Sequence, residues 1–106
     1  MTRDLTELNK LEKYLKEHGY EYDRTDDEGD PVGIANRLGL VSCIDQHQIV
    51  VYKDGKRDWD AICQFGSYGA EMGLIEVMGE RVVRGGDSVE GYLTADEIIE
   101  KLEEWE

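Results

Sequence analysis

Apolar positions in the first part of the chain fall at spacings of three and four (Leu5, Leu8, Leu11, Leu15), with Glu7, Lys10, Glu12, Lys13, Lys16 and Glu17 around them. That period sets one leucine stripe along a helix and predicts a helix over residues 4–18. Asp4 with Glu7 three residues on has the form of a capping box, and Gly19 suits the left-handed residue just past a C-terminus. Glu12 and Lys16 stand four apart in the favourable order for an ion pair. The period then changes. Tyr20 and Tyr22 alternate with Glu21 and Asp23, which predicts a short strand, and the acidic residues up to Asp30 read as a loop. Asp30-Pro31 would open a short helix stopped by Gly39, although Gly33 lies inside it.

From Leu40 the pattern is β. Residues 40–44 form an apolar candidate strand, and Gln48-Ile49-Val50-Val51-Tyr52-Lys53 has the highest β propensity in the chain. Asp54-Gly55 follows, the dipeptide of a tight hairpin turn. The return strand is expected from Arg57 to Phe65, where Trp59, Ala61, Cys63 and Phe65 alternate with Asp58, Asp60 and Gln64. Beyond the Gly66-Ser67-Tyr68-Gly69 turn, Leu74, Ile75 and Met78 suggest a second helix from Ala70 to Met78. Arg81-Val82-Val83-Arg84 suggests a short strand. Thr94-Ala95-Asp96-Glu97 is a capping box, opening a last helix with Ile98, Ile99, Leu102 and Trp105 on its apolar stripe. The expected class is α+β: a small antiparallel sheet of two to four strands, with a central hairpin at about 48–65, packed against two or three helices. The length of 106 residues suits a single domain, 1–106.

Charge changes this picture more than any motif does. Twelve basic residues stand against 25 acidic ones, a net −13. Two segments concentrate the excess: Glu21, Asp23, Asp26, Asp27, Glu28 and Asp30 against Arg24, and Asp96, Glu97, Glu100, Glu103, Glu104 and Glu106 against Lys101. Direct nucleic-acid binding is disfavoured, because phosphate contacts need Lys and Arg. No run approaches the roughly 20 apolar residues of a membrane span. The first residues lack the basic region and apolar core of a signal peptide, so a cytoplasmic location is expected. Cys43 and Cys63 lie among apolar residues and read as reduced core thiols.

The candidate chemistries each fail a spacing test. Placing Gly29 at the sixth position of a calcium loop puts Arg24 at the first and Ala35 at the twelfth, where carboxylates belong. Cys43, His47 and Cys63 lack a fourth ligand and the close cysteine spacing of structural zinc, so His47 is expected at the surface. Gly-Ser-x-Gly at residues 66–69 is not the nucleophile motif G-x-S-x-G, and a helix-capping Ser67 accounts for it. Gly85-Gly86-Asp87-Ser88 lacks the lysine of a phosphate loop. Asp58 and Asp60 are expected to be solubilising charges on an exposed strand face. No catalytic residue, metal or cofactor is indicated.

Several short motifs carry a resemblance. His47-Gln48-Ile49-Val50-Val51-Tyr52, Trp59-Asp60-Ala61-Ile62-Cys63, Gly66-Ser67-Tyr68-Gly69, Gly73-Leu74-Ile75-Glu76 and Val89-Glu90-Gly91-Tyr92-Leu93-Thr94 resemble small proteins encoded in prophages and other mobile elements of Gram-positive gut bacteria. The likeness spans about residues 47–99. It implies a genomic setting and supplies no mechanism. Together with the charge it favours a non-enzymatic interaction protein, an inhibitor whose acidic face engages a basic, nucleic-acid-binding host protein. Asp23, Asp26, Asp27, Glu28, Asp30, Glu100, Glu103 and Glu104 are the candidate contact residues. The alternative is a small structural or regulatory domain that self-associates through an apolar face.

Overall fold

The computed structural model describes residues 3–27, 45–83 and 88–105. The chain is α+β. Helix α1 (Thr6–Glu17) leads into strand β1 (Glu21–Asp27), followed by β2 (Gln46–Lys53), β3 (Lys56–Ile62), a 3-10 turn at Ala70–Met72, β4 (Ile75–Met78), β5 (Val89–Leu93) and helix α2 (Ala95–Trp105). The strands form one sheet in the order β1-β2-β3-β4-β5, with every neighbouring pair antiparallel.

Period-two alternation selects the core face. Ile49 and Val51 of β2 stand opposite Ala61 and Trp59 of β3, Ala61 opposite Val77 of β4, and Ile75 opposite Leu93 of β5. All are buried, in one cluster with Leu8, Leu11 and Leu15 of α1 and with Ile98 and Leu102 of α2. Each of these large side chains stabilises the fold by about 1.5–3 kcal/mol through removal from water. The leucine stripe of α1 and the Ile98/Leu102 stripe of α2 therefore cover the same side of the sheet.

Polar groups lock the two helices to each other. Thr94 and Glu97 form the expected reciprocal box, with Glu97 N–H donating to Thr94 Oγ1 at 3.2 Å and Thr94 N–H to Glu97 Oε1 at 3.0 Å. The α1 box does not form. Asp4 accepts from Thr6 N–H, while Glu7 reaches across to accept from Ala95 N–H at 2.8 Å. Glu7 thereby satisfies an orphan donor at the start of α2 instead of its own helix. Lys10 pairs with Asp96 at 3.0 Å beside it.

Two irregularities aim side chains. Asp54 (φ 55) and Gly55 (φ 77) make the left-handed pair of a tight hairpin turn, as Asp-Gly predicts. Between Val51↔Trp59 and Tyr52↔Arg57, β3 carries Asp58 as an extra residue. Between Ile75↔Leu93 and Val77↔Glu90, β5 carries one extra residue at Gly91–Tyr92.

Several expectations are corrected. Among the described residues the sheet has five strands rather than two to four, and two helices flank it. The acidic stretch is strand as far as Asp27, because inward-facing Arg24 and Asp26 find charged partners under α1. Residues 70–78 are a single 3-10 turn and then β4: left-handed Gly69 (φ 95) and Gly73 (φ 73) bracket the turn, and Ile75 and Val77 bury alternately. The return strand ends at Ile62, and Arg81 and Val82 lie in a turn. Glu12 turns to Arg24 and Tyr22, at 2.9 and 3.1 Å, in place of the expected pairing with Lys16. The short helix after Pro31, the strand at 40–44, Cys43 and the loop at 85–87 lie outside the described residues.

Candidate partner-binding site

A buried charged chain organises one end of the sheet. His47 occupies an inward position of β2 between Asp26 of β1 and Asp45 just before β2, and its ring has no exposed surface. Its Nδ1 lies 2.8 Å from Asp26 Oδ1. Its Nε2 lies 3.1 Å from Asp45 Oδ2, within ion-pair range but without hydrogen-bond alignment. Arg3 holds Asp45 in a two-pronged contact at 2.8 and 2.9 Å, and Arg24 bridges Asp26 and Glu12. The sequence placed His47 at the surface; the alternation of β2 puts it inside, where the flanking carboxylates make its burial tolerable.

The electrostatics follow from these contacts. The Arg3 hydrogen bond holds the Asp45 carboxyl below its ordinary pKa, against burial, with Phe65 N–H assisting. Burial pushes the Asp26 carboxyl up, but hydrogen bonds from His47 and Arg24 outweigh it and the net direction is down. Burial pushes the Cys63 thiol up, which suits an inert core cysteine. A ring as enclosed as that of His47 touches no ligand; it ties β1, β2 and the segment before β2 together.

That chain extends to the surface. Asp45 accepts from Phe65 N–H at 3.1 Å, Gln64 Oε1 from His47 N–H at 3.1 Å, and Ser67 Oγ both accepts from Gln64 N–H and donates to Gln64 O. Ser67 thus closes the 64–67 turn instead of capping a helix. Tyr68 N–H donates to Glu76 Oε1 at 2.9 Å, and Tyr92 N–H to Tyr68 O at 3.1 Å. The result is a rigid wall made from the Gly66-Ser67-Tyr68-Gly69 turn and the bulge of β5.

The wall borders a groove of about 930 Å³, lined by Arg3, Asp4, Phe65, Tyr68, Glu71, Met72 and Tyr92 among others. Phe65 is 50% exposed, Tyr68 57%, Met72 62% and Tyr92 56%, so four of the five exposed large hydrophobics among the described residues meet here. Single exposed apolar side chains need no explanation, but a gathered patch marks a contact surface. The fit is reciprocal. A methyl group on Gly91 would run into Tyr68 Cβ, and one on Gly69 would sit 2.9 Å from Tyr92 Cα. Tyr92 itself has φ 59, a left-handed backbone that an L side chain adopts at a cost. The bulge turns Tyr92 outward, while Leu93 beside it stays buried. A second groove, of about 460 Å³, runs between His18, Tyr20, Tyr52 and Arg81, and there Arg81 is paired with Asp58 at 2.7 Å.

The contact residues expected from charge are scattered. Asp26 is committed to Arg24 and His47, and Asp23 lies on the opposite face of the sheet, beside Tyr52. Asp27 is exposed at the end of β1, and Glu100, Glu103 and Glu104 are exposed on α2. Glu28 and Asp30 lie outside the described residues. Asp60 is also not the solubilising charge expected: it is 8% exposed and bound by Arg57 and Gln48 at 2.8 and 2.7 Å. Phe65, Tyr68, Met72 and Tyr92 were missed. Their signal was the pairing of a glycine with a tyrosine in two separate motifs, Tyr68-Gly69 and Gly91-Tyr92. Among the described residues there is no group of three or more His, Cys, Asp or Glu placed to hold a metal, and no helix long and apolar enough to cross a membrane. No protein-family model, curated protein or solved structure matches the chain.

Proposed function

We propose that the chain is a non-enzymatic interaction protein that engages a basic partner, with the aromatic groove as its contact. One observation carries this reading: four exposed apolar side chains surround one pinned groove in a chain of net charge −13. Charge of that sign attracts a basic surface from a distance, and the aromatic residues supply the short-range contact area. In the prophage-type setting that the resemblance implies, the partner is a host protein with a Lys/Arg-lined surface built for nucleic acid. The exposed carboxylates of α2 then stand where phosphates otherwise would.

The same patch favours one rival, self-association through the apolar face. Two copies would each bring −13 charges to the contact, which opposes pairing at low salt. Solution mass against concentration separates the two readings, since a dimer that strengthens in salt supports the rival. The direct test is affinity capture from a bacterial lysate at low and high salt, with the wild type and a Tyr68→Ala/Tyr92→Ala double variant. The expected result is one dominant basic protein, released by salt and absent with the double variant. Retention by both proteins removes the groove from the contact. No specific capture at either salt sinks the proposal.

A further inference from the structure

We infer that the groove binds a cationic side chain, an arginine or lysine of the partner, on the Tyr68/Tyr92 ring pair, with Glu71 and Asp4 as counter-charges. This rests on the basic-partner reading above and gives it a place and a chemistry. The two phenol rings are nearly parallel, with centroids 6.3 Å apart and planes 20° apart, and both are more than half exposed. A cation is drawn to a ring face from within roughly 6 Å of its centroid, so one group laid over the exposed side of the pair lies within reach of both.

The charges around the rings match. Arg3, the one cation lining the groove among the described residues, is held by Asp45 through two hydrogen bonds and is only 17% exposed. Asp4 is exposed and accepts hydrogen bonds from its neighbour Thr6, and Glu71 is exposed on the 3-10 turn. Neither carboxylate has an ion pair among the described residues. The groove therefore presents π faces and two exposed carboxylates against the single, already committed Arg3, a combination that suits a guanidinium or ammonium better than a phosphate or carboxylate. The site is also preformed. The bulge holds Tyr92 outward, and Gly69 and Gly91 let the two tyrosine segments close on each other. A rigid aromatic pair loses little freedom on binding.

The test uses a hexa-arginine peptide and its citrulline counterpart, a neutral side chain of similar shape, titrated into the full chain and followed by NMR. The expected result is that hexa-arginine shifts the Tyr68 and Tyr92 ring signals and the citrulline peptide does not. Tyr68→Leu keeps an apolar side chain but removes the π face, and should weaken hexa-arginine roughly tenfold, about the loss of one cation–π contact. Glu71→Gln should weaken it several-fold, with an unchanged circular dichroism spectrum. Equal binding of both peptides would mean that the groove takes apolar groups, and overturns the inference. Hexa-arginine binding that survives Tyr68→Leu and Glu71→Gln but fails in a Glu100→Gln/Glu103→Gln variant also overturns it, and leaves the basic-partner reading standing on α2. If neither peptide binds, the inference fails, and the lysate capture decides the wider reading by itself.

Discussion

Asp45→Ala is the most informative single change. The carboxylate is 6% exposed, receives Arg3 at 2.8 and 2.9 Å and Phe65 N–H at 3.1 Å, and lies 3.1 Å from His47 Nε2. Its removal strands a fully buried ring, a backbone donor and a guanidinium at once. Breaking a buried pair by deleting one partner costs about 3–5 kcal/mol. Arg3 is near enough to the surface to rehydrate, so the low end, about 3 kcal/mol, applies. A domain this size has a total stability of about 5–15 kcal/mol, so this is a large share. With a urea slope of roughly 1–3 kcal/mol/M, the unfolding midpoint should fall by about 1–3 M. Asp45→Asn retains an acceptor for Phe65 and should cost roughly half as much. A midpoint unchanged by Asp45→Ala would refute the view that this carboxylate organises Arg3, His47 and the 64–67 turn.

The same residue supplies a pH test with a defined sign. The Asp45 and Asp26 carboxyls both lie below their ordinary value of 3.8 in the folded chain, so the unfolded chain binds protons more readily. The stability they confer is complete above the unfolded pKa and is lost as pH falls through the folded one. Wild-type stability should therefore decline below about pH 4. The deficit of Asp45→Asn should shrink over that same range, because the wild-type carboxyl becomes neutral too. A deficit that stays constant from neutral pH into acid would contradict the charge-based account.

Three further changes probe the core and the groove. Trp59→Ala should cost about 3–5 kcal/mol by urea unfolding, since the side chain is 1% exposed and Gly79 packs against its Cβ; a loss under about 1 kcal/mol would place it outside the core. Gly91→Ala should cost about 1–3 kcal/mol by forcing the Tyr68 segment away, and an unchanged midpoint would deny the close fit. Tyr92→Gly should leave stability within about 1 kcal/mol of wild type, because relief of the left-handed backbone, about 1–2 kcal/mol, offsets the lost Tyr68 ring contact, about 0.5–1.5 kcal/mol. A loss above about 2 kcal/mol would make the ring part of the core.

What could be read from the sequence was local. The α1 stripe, the Asp54-Gly55 hairpin and the Thr94–Glu97 box each rest on residues within a few positions, and each formed. The misreadings depended on partners distant in the chain. Leu74, Ile75 and Met78 fit a helical face as well as a strand, and the two left-handed glycines decided for the strand. Arg24 and Asp26 looked like loop residues because Glu12 and His47, which pair with them, lie 12 and 21 positions away. Phe65 continued the alternation of β3 on paper, but the bond from its N–H to Asp45, 20 positions back, turns the chain outward. The groove escaped notice for the same reason, since its two tyrosine segments lie far apart in the chain and meet through the Tyr92 N–H to Tyr68 O bond and the ring contact.

Pairing within the fold also decides where the net charge is presented. Arg3, Lys10, Arg24, Arg57, Arg81 and Lys101 each lie within 2.7–3.1 Å of a carboxylate oxygen. Those cations are spent on neighbours, and two of the pairs, Arg3–Asp45 and Arg24–Asp26, serve mainly to make a buried histidine tolerable. Exposed carboxylates stand on α2 and at the rim of the groove. An approaching basic surface is therefore attracted over a Debye length, about 8–10 Å at physiological salt, by these exposed carboxylates. The aromatic groove acts only at contact. Long-range attraction and short-range grip thus reside in different residues, so selection or mutation can alter one without the other.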